Sequence, residues 1–428
     1  MLQGIAAGVL VLTVSAISAM QGVVQAATAP AAPKAYIGLF KDNAVAVLDT
    51  DTNKVLHTIP VPKGPHGLVL SPNGRSVYVS SDGDSKVSVI DTVTDKVRRT
   101  IEVGKTPHGL ALTPDGKQLL VGVYDTGQLA FIDTASYRIV ARLPISRPHN
   151  IALSPDGKTA YVASQATGSP SLVVVDVSTH KQTGSVALDK VPRALNFSTD
   201  GKSVYFTQAG VDAVQVLDTA TNKIVTSVKV GASPHHVLFT PDGEEALTID
   251  QGPGELAVIN PISHTETLTV TVGKQPHWIA LMPSRDLAYV TNEGSNDLSV
   301  IDLGTYKVTA TIPVGNGPRK IVVQAGQAKA VAAPSASTAM SMDHPTVNTS
   351  IKGFAFEPKL AVVVGQPIVW KNNDPVTHAL VADDNSWKSG DLAAGASYTL
   401  TLSKPGTYTY HCAIHPYMTG TIVVKAAS

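Results

Sequence analysis

Residues 107–133 read PHGLALTPDGKQLLVGVYDTGQLAFID, and this order of features returns at a period of 41 to 44 residues between residues 35 and 329. In each copy a Pro opens one apolar run, a turn follows it, and the third apolar run ends in Asp or Asn. The turn occupies residues 71–74, 113–116, 154–157, 198–201 and 240–243, and the strand-ending residues are Asp49, Asp91, Asp133, Asp176, Asp218, Asn260 and Asp302.

Each copy holds four short, Val-rich runs, and seven such copies are typical of a seven-bladed β-propeller. The first copy begins at what would be the second strand of a blade, residues 35–38, and the last adds a spare inner strand, residues 320–323. The two ends can therefore complete one blade together, so that no frayed blade remains. Residues 78–80 (YVS) and 289–292 (YVTN) make the repeats resemble the YVTN family of propellers. That resemblance implies a fold and no single function, since such propellers serve as enzymes, ligand binders and scaffolds.

The residue after the Pro that precedes each inner strand is His in five copies and Arg in two. Because inner strands start near the propeller axis, we expect these side chains to converge on one mouth of the central channel. The second strand of each blade should bring polar partners near this ring. The ring is His66, His108, His149, Arg193, His235, His277 and Arg319, and the expected partners are Asp82, Asp125, Gln165, Gln208, Asp250, Asn292 and Glu293.

Two hypotheses explain the ring. A structural His that caps a turn would be copied with the rest of the repeat. Alternatively, the five imidazoles bind a second metal, for which copper is suited, and Arg193 and Arg319 supply fixed positive charge for an anionic ligand or substrate. The sequence alone leaves both hypotheses open.

Residues 410–418 read YHCAIHPYM and follow His378 by about thirty positions. Cys412, His415 and Met418 succeed one another at three-residue intervals, so one tight loop can direct all three toward a point that His378 approaches from another loop. A thiolate, two imidazoles and a weak axial thioether suit copper that cycles between two oxidation states. These four residues therefore predict an electron-transfer metal site.

With the strand patterns of residues 354–358, 368–372 and 405–410, this motif resembles the cupredoxin family, and its spacing is most similar to amicyanin. The resemblance implies a type 1 (blue) copper site in a β-sandwich. One departure is Ala379, where many cupredoxins have an Asn that ties the ligand loops together. His411 precedes the Cys, as in proteins where such a pair bridges two copper centres, but strand alternation turns it outward.

Composition limits the alternatives. The 33 basic and 33 acidic residues balance, so nothing favours nucleic acid as a partner. Cys412 is the single cysteine, which excludes an internal disulfide framework and a copper pair bridged by two thiolates. Residues 1–29 have the pattern of a signal peptide, which implies a periplasmic or extracellular protein, although the apolar run could remain as a membrane anchor.

The sequence thus predicts an all-β chain: a propeller over residues 30–324, a flexible linker over 325–346 and a cupredoxin domain over 347–428. The architecture resembles nitrous-oxide reductase, and it favours a copper-dependent oxidoreductase that acts with a redox partner protein or a small-molecule substrate. One alternative is a non-enzymatic electron carrier with the propeller as docking platform. Another is a lyase or lactonase, since some propellers with Pro-His-Gly repeats resemble virginiamycin B lyase. The sequence does not decide between a monomer and a homodimer.

Overall fold

The computed structural model describes residues 33–282, 286–324, 345–353, 355–357, 359–374, 376–384, 386–415 and 418–426. The predicted signal segment, residues 1–29, and nearly all of the predicted linker, residues 325–346, lie outside these ranges. Within them every regular element is a β-strand, which confirms the all-β prediction. Within the same ranges, no helix has the length and hydropathy needed to span a bilayer.

The strands between residues 34 and 324 number 28. In chain order they are β1 (Lys34–Leu39), β2 (Ala44–Asp49), β3 (Lys54–Pro60), β4 (Pro65–Leu70), β5 (Ser76–Ser81), β6 (Lys86–Asp91), β7 (Lys96–Glu102), β8 (Pro107–Leu112), β9 (Gln118–Val123), β10 (Gln128–Asp133), β11 (Arg138–Pro144), β12 (Pro148–Leu153), β13 (Thr159–Ser164), β14 (Ser171–Asp176), β15 (Lys181–Ala187), β16 (Pro192–Phe197), β17 (Ser203–Gln208), β18 (Ala213–Asp218), β19 (Lys223–Lys229), β20 (Pro234–Phe239), β21 (Ala246–Asp250), β22 (Glu255–Asn260), β23 (Thr265–Thr271), β24 (Pro276–Met282), β25 (Leu287–Asn292), β26 (Asp297–Asp302), β27 (Lys307–Pro313) and β28 (Pro318–Gln324).

These strands form seven antiparallel four-stranded sheets, the blades of the predicted propeller. Six blades are consecutive, from β4–β7 to β24–β27, and the seventh has the order β28-β1-β2-β3. In that blade Tyr36 pairs with Val322 and Ile37 with Ile321, so the two ends of the array complete one sheet. The expectation that the ring closes in this way is confirmed.

Repeated turn residues explain why each blade has the same shape. In the second blade the Asp115 carboxylate accepts a hydrogen bond from the Lys117 amide at 3.0 Å. Gly116 takes the positive φ of 69° that this turn requires. At the end of the third strand, Asp133 accepts a hydrogen bond from the Ser136 amide at 2.7 Å and fixes the next turn.

A break in pairing at the start of every inner strand prepares the ring. Pro65 pairs with Ser81, and regular pairing resumes only at Leu68. The same irregularity follows the opening Pro of the other six inner strands. Such β-bulges redirect side chains, and here the residue that follows each Pro lies in the bulge. The inner strands of neighbouring blades contact one another, so these seven positions are brought together.

The C-terminal strands form a separate β-sandwich. Its sheets have the orders β29-β31-β33 and β30-β35-β34-β32, and Trp370 lies fully buried between them among residues that include Cys412 and Met418. The strands are β29 (Val347–Ile351), β30 (Lys359–Val363), β31 (Pro367–Asn372), β32 (Leu380–Ala382), β33 (Ser397–Thr401), β34 (Gly406–Cys412) and β35 (Thr419–Lys425).

The closing strand supplies a test of the ring. Ile321 is 1% exposed in the shared blade, whereas Ile262 is 89% exposed. We expect Ile321→Ala to lower the free energy of unfolding of the propeller by about 2–5 kcal/mol, because it leaves a cavity at the closure. The matched control, Ile262→Ala, should change it by less than about 0.5 kcal/mol. Denaturant titration measures both, and equal effects would contradict the buried closure.

Candidate metal centres

Three of the four predicted C-terminal ligands meet at one point. The Cys412 sulfur lies 3.7 Å from Nδ1 of His378 and 3.6 Å from Nδ1 of His415, and the two nitrogens are 3.1 Å apart. Cys412 ends β34, and His378 lies just before β32, which pairs with β34. The pairing of two strands thus brings the distant imidazole to the Cys–His loop.

The loop itself is folded by its own backbone. The Met418 amide donates to the carbonyl of His415, and the Cys412 amide donates to the carbonyl of Met418, both at 2.9 Å. These bonds turn the chain tightly between Cys412 and Met418. Met418 is buried and packs in the same apolar cluster as Cys412. The structure therefore places the predicted axial residue on the loop that carries two other ligands.

The donor set fits one metal ion. Nitrogen and sulfur ligands of a first-row metal lie roughly 2.0–2.3 Å from it, and ligands at that range are separated by distances like those observed here. Burial lowers the pKa of His378, and burial together with the neighbouring His378 lowers the pKa of His415 to about 4. Both imidazoles are therefore neutral near pH 7 and can donate a lone pair.

Polar residues behind the site hold His378. Its Nε2 lies 3.0 Å from a carboxylate oxygen of Asp374, and the other oxygen of Asp374 accepts a hydrogen bond from the Gly353 amide at 2.6 Å. This contact presents Nδ1 to the metal position, as carboxylates commonly do for metal-binding imidazoles. Sequence reasoning missed Asp374, although its place four residues before His378 is a signal that could have drawn attention to it.

Asn372 and backbone bonds tie the loops together where Ala379 lacks a side-chain amide. The buried Asn372 amide donates to the carbonyls of Val376 and Leu392 at 2.7 and 2.8 Å. The Ala379 amide points to the Cys412 sulfur at 3.4 Å, and the Ala413 amide donates to the Ala379 carbonyl at 2.7 Å. The loops are thus connected in spite of the departure at Ala379.

His411 is occupied elsewhere. Its Nδ1 lies 2.6 Å from the Asp383 carboxylate, and the pair is partly exposed to solvent. Cys412, the next residue, is fully buried. The alternation of strand residues therefore separates the two side chains as expected.

The propeller ring is tightly packed on one side. The imidazole centroids of His66 and His108 lie 3.8 Å apart, as do those of His108 and His149. His235 lies 4.3 Å from His277, and His277 lies 5.5 Å from His66. Nδ1 of His149 lies 3.1 Å from a backbone carbonyl of the next inner strand. The structure thus brings the five predicted histidines into one cluster.

The two arginines of the ring differ in their partners. Arg319 makes two contacts to one oxygen of Glu293, at 3.1 and 3.2 Å, and lies over the ring of Phe40. Arg193 donates to the Ser233 hydroxyl at 3.0 Å and lies 3.4 Å from the side-chain oxygen of Gln251. Among the described residues, Arg193 has neutral hydrogen-bond partners, while Arg319 is paired with a carboxylate.

Burial keeps the imidazoles of the ring neutral. It lowers the pKa of His149 to about 4 and of His235 to about 3, with Arg193 as a further cause. Burial and neighbouring imidazoles hold the pKa of the other three well below the ordinary value: His66, His108 and His277. Neutral imidazoles are able to bind a metal ion.

The expected partners of the ring are only partly correct. Equivalent backbone bonds identify one register position per blade, which is Phe40, Asp82, Tyr124, Gln165, Ala209, Gln251 and Glu293. The other four expected residues bind elsewhere, which corrects the prediction: Asp125 binds the Thr106 hydroxyl, Gln208 the Lys190 carbonyl, Asp250 the Gly231 amide, and Asn292 binds Asp297 and Ser299.

Asp250 yields a prediction about pH. Burial raises its pKa to about 7, with Glu266 and Glu255 as further causes. Below about pH 4 the carboxyl is protonated in both states, whereas between about pH 4 and 7 the unfolded chain releases the proton first, so stability falls as pH rises. We expect Asp250→Asn to stabilise the propeller by up to about 4 kcal/mol at pH 8 and to have no such effect at pH 4. Calorimetry at both values checks this, and an equal effect at the two would refute the assignment.

Two family models match parts of the chain. The cupredoxin-like domain matches residues 327–424, and the cytochrome D1 heme domain matches residues 36–151. The expected likeness to nitrous-oxide reductase stays a prediction.

Curated relatives match the C-terminal part. Amicyanin of Paracoccus denitrificans is 36% identical over 73 residues, which are 16% of this chain and 56% of that protein. Plastocyanin of Lactuca sativa is 35% identical over 83 residues, which are 16% of this chain and 84% of that protein. Plastocyanin of Solanum tuberosum is 39% identical over 75 residues, which are 14% of this chain and 76% of that protein. The chain thus spans little more than half of the amicyanin and most of the two plastocyanins.

Solved structures match the larger part of the chain at low identity. A chain of hydrazine synthase from Kuenenia stuttgartiensis has a TM-score of 0.59 at 20% identity, with 66% of this chain and 98% of that chain covered. Dihydro-heme d1 dehydrogenase NirN in complex with DHE has a TM-score of 0.53 at 18% identity, with 65% and 63% covered. At these identities the likeness establishes the fold alone.

Proposed function

Because this chain belongs to the cupredoxin family through its C-terminal domain, we propose that it transfers single electrons at a copper site formed by His378, Cys412, His415 and Met418. The observation that carries the proposal is the triangle of Cys412, His378 and His415, with donor atoms 3.1–3.7 Å apart. When bound, copper supplies a one-electron couple that a thiolate, two imidazoles and a thioether can support.

Hydrogen bonds hold the buried side of the site in place, whereas its other side is exposed to solvent. Asp374 and Asn372 hold the buried His378 loop, while His415 is half-buried. Ala413 and Ile414, on the same loop, are exposed to solvent. The edge of His415 is therefore the proposed electron port, and this apolar surface is where a redox partner protein would dock.

We further propose that the propeller ring is the second site of an oxidoreductase and binds a metal ion or a small substrate. Five neutral imidazoles and two guanidinium groups converge there, and Arg193 lacks a hydrogen-bonded carboxylate among the described residues. A guanidinium beside neutral imidazoles favours an anionic ligand. The alternative of a non-enzymatic carrier predicts that the ring binds neither.

The proposed location is outside the cytoplasm, in the periplasm or beyond the cell. The signal-like pattern of residues 1–29 supports export, and a copper thiolate persists best where competing thiols are scarce. Accumulation of the chain in a periplasmic fraction, with loss of residues 1–29 by mass spectrometry, tests this location.

The first test of the copper site is optical. The full chain with one equivalent of copper(II) should be intensely blue, because charge transfer from the Cys412 thiolate requires a direct bond to the metal. Cys412→Ser should abolish the colour, whereas Met418→Gln should retain blue copper at a lower reduction potential, since the axial ligand tunes the potential. Absorption spectroscopy and potentiometry measure these outcomes. A blue band that survives Cys412→Ser would refute the ligand assignment.

The second test concerns anion binding at the ring, with inorganic phosphate as the probe. An anion that binds only the folded propeller raises its stability by about 2.7 kcal/mol at one hundred times the dissociation constant. We expect Arg193→Ala to remove most of this gain, while the exposed Arg138 serves as the matched control in Arg138→Ala. Thermal unfolding with and without phosphate measures it. No gain in the parent protein, or an equal gain in both variants, would refute an anion site at Arg193.

A further inference from the structure

We infer that His66, Asp82 and His108 form a binding site for a divalent first-row metal ion, with the remaining coordination positions open to the channel mouth. This inference rests on the proposed second site of the propeller and names its metal ligands. One nitrogen of each imidazole and one oxygen of Asp82 all lie within 4.8 Å of one another. Two imidazoles and one carboxylate, with further coordination positions open, suit iron(II), zinc or cobalt. This donor set differs from the copper site of five imidazoles that the sequence suggested.

The fold brings these three side chains together from two blades. His66 lies in the bulge of β4 and His108 in the equivalent bulge of β8. Asp82 directly follows β5, and its amide donates to the Gly64 carbonyl at 2.8 Å. One oxygen of Asp82 is 3.7 Å from Nε2 of His108, which is too long for a hydrogen bond and leaves room for a shared ion.

Gly67 sets the spacing between the imidazoles of His66 and His108. Gly67 follows His66, and a Cβ at Gly67 would lie 2.3 Å from the His108 carbonyl oxygen. The Ser80 hydroxyl accepts from the Gly67 amide at 2.9 Å and donates to the same carbonyl at 2.5 Å. Only a glycine allows the two inner strands to approach so closely. The resulting contact explains the 3.8 Å separation of the His66 and His108 rings.

Asp82 differs from the one other acid at its register position. Glu293 is neutralised by Arg319 at 3.1 Å. Asp82 has no ion pair with Arg or Lys among the described residues, and its Oδ1 is buried there without a hydrogen-bond partner. An unpartnered buried carboxylate oxygen is costly, and a bound ion would supply its missing partner.

The electrostatics of the three residues agree with a cation. Burial raises the pKa of Asp82 to about 7, with the neighbouring Asp125 as a further cause, while Arg319 opposes the rise. Burial lowers the pKa of both imidazoles, so neither supplies a positive charge near pH 7. A divalent ion would provide the positive charge that balances the ionised carboxylate of Asp82. The neutral imidazoles could each donate a lone pair to it.

Zinc binding to the full chain tests the inference. The cupredoxin site is first filled with one equivalent of copper(II), with its blue absorption as the readout, and zinc is then added and counted by elemental analysis after dialysis. We expect one zinc ion per chain. Asp82→Asn and His66→Gln should each weaken zinc binding by roughly 100-fold or more, since even outer partners of metal ligands contribute 10–100-fold.

The matched control is Asp125→Asn, the same change at a nearby acid that binds Thr106 at 2.6 Å and is not among the three ligands. It should keep its zinc. A single cooperative thermal unfolding transition and an unaltered blue band show that the variants are folded. Zinc binding that persists in Asp82→Asn, or is absent from the parent protein, overturns the inference while a blue band leaves the copper proposal standing. A chain that binds zinc but never turns blue would support the zinc site and refute the copper proposal.

Discussion

The pairing of residues 318–324 with residues 34–39 is the constraint on which the propeller depends. It closes the ring of seven sheets with chain segments nearly three hundred residues apart in sequence. The same pairing fixes Arg319 beside Glu293 and Phe40, so the seventh ring position exists only in the closed form. Stability of the closure and composition of the channel mouth are therefore linked by one set of backbone hydrogen bonds.

A similar dependence holds in the sandwich, at a smaller scale. The pairing of Leu380 with Cys412 places the His378 loop against the Cys–His loop. Asn372 then bonds that loop to Leu392, and Asp374 orients the imidazole. Because the candidate ligands come from two loops whose positions are fixed by strand pairing, the proposed metal position is set by strand register and not by the metal alone.

The sequence predicted the blades and the ring because both repeat at a fixed register, and it singled out Cys412, His415 and Met418 as candidate ligands because their spacing is local. It failed for the partners of the ring. Gln208, Asp250 and Asn292 lie one residue before the position that Gln165 and Glu293 share, and neighbouring strand residues point to opposite sides. Because the turns differ in length between blades, the sequence hides a shift of one residue between equivalent positions. The backbone hydrogen bonds of the structure reveal that shift. Asp374 was missed because its one signal, a place four residues before His378, does not repeat along the chain.

The two candidate centres have ligands of different softness, and this difference would favour a different metal at each centre of the same chain. Thiolate and thioether donors at Cys412 and Met418 select copper, whereas the carboxylate of Asp82 beside His66 and His108 suits harder divalent ions. Copper binds nitrogen sites more tightly than its neighbours in the series, so affinity alone would place it in both. Selectivity at the proposed propeller site would therefore depend on the geometry of its three donor atoms and on the supply of metal.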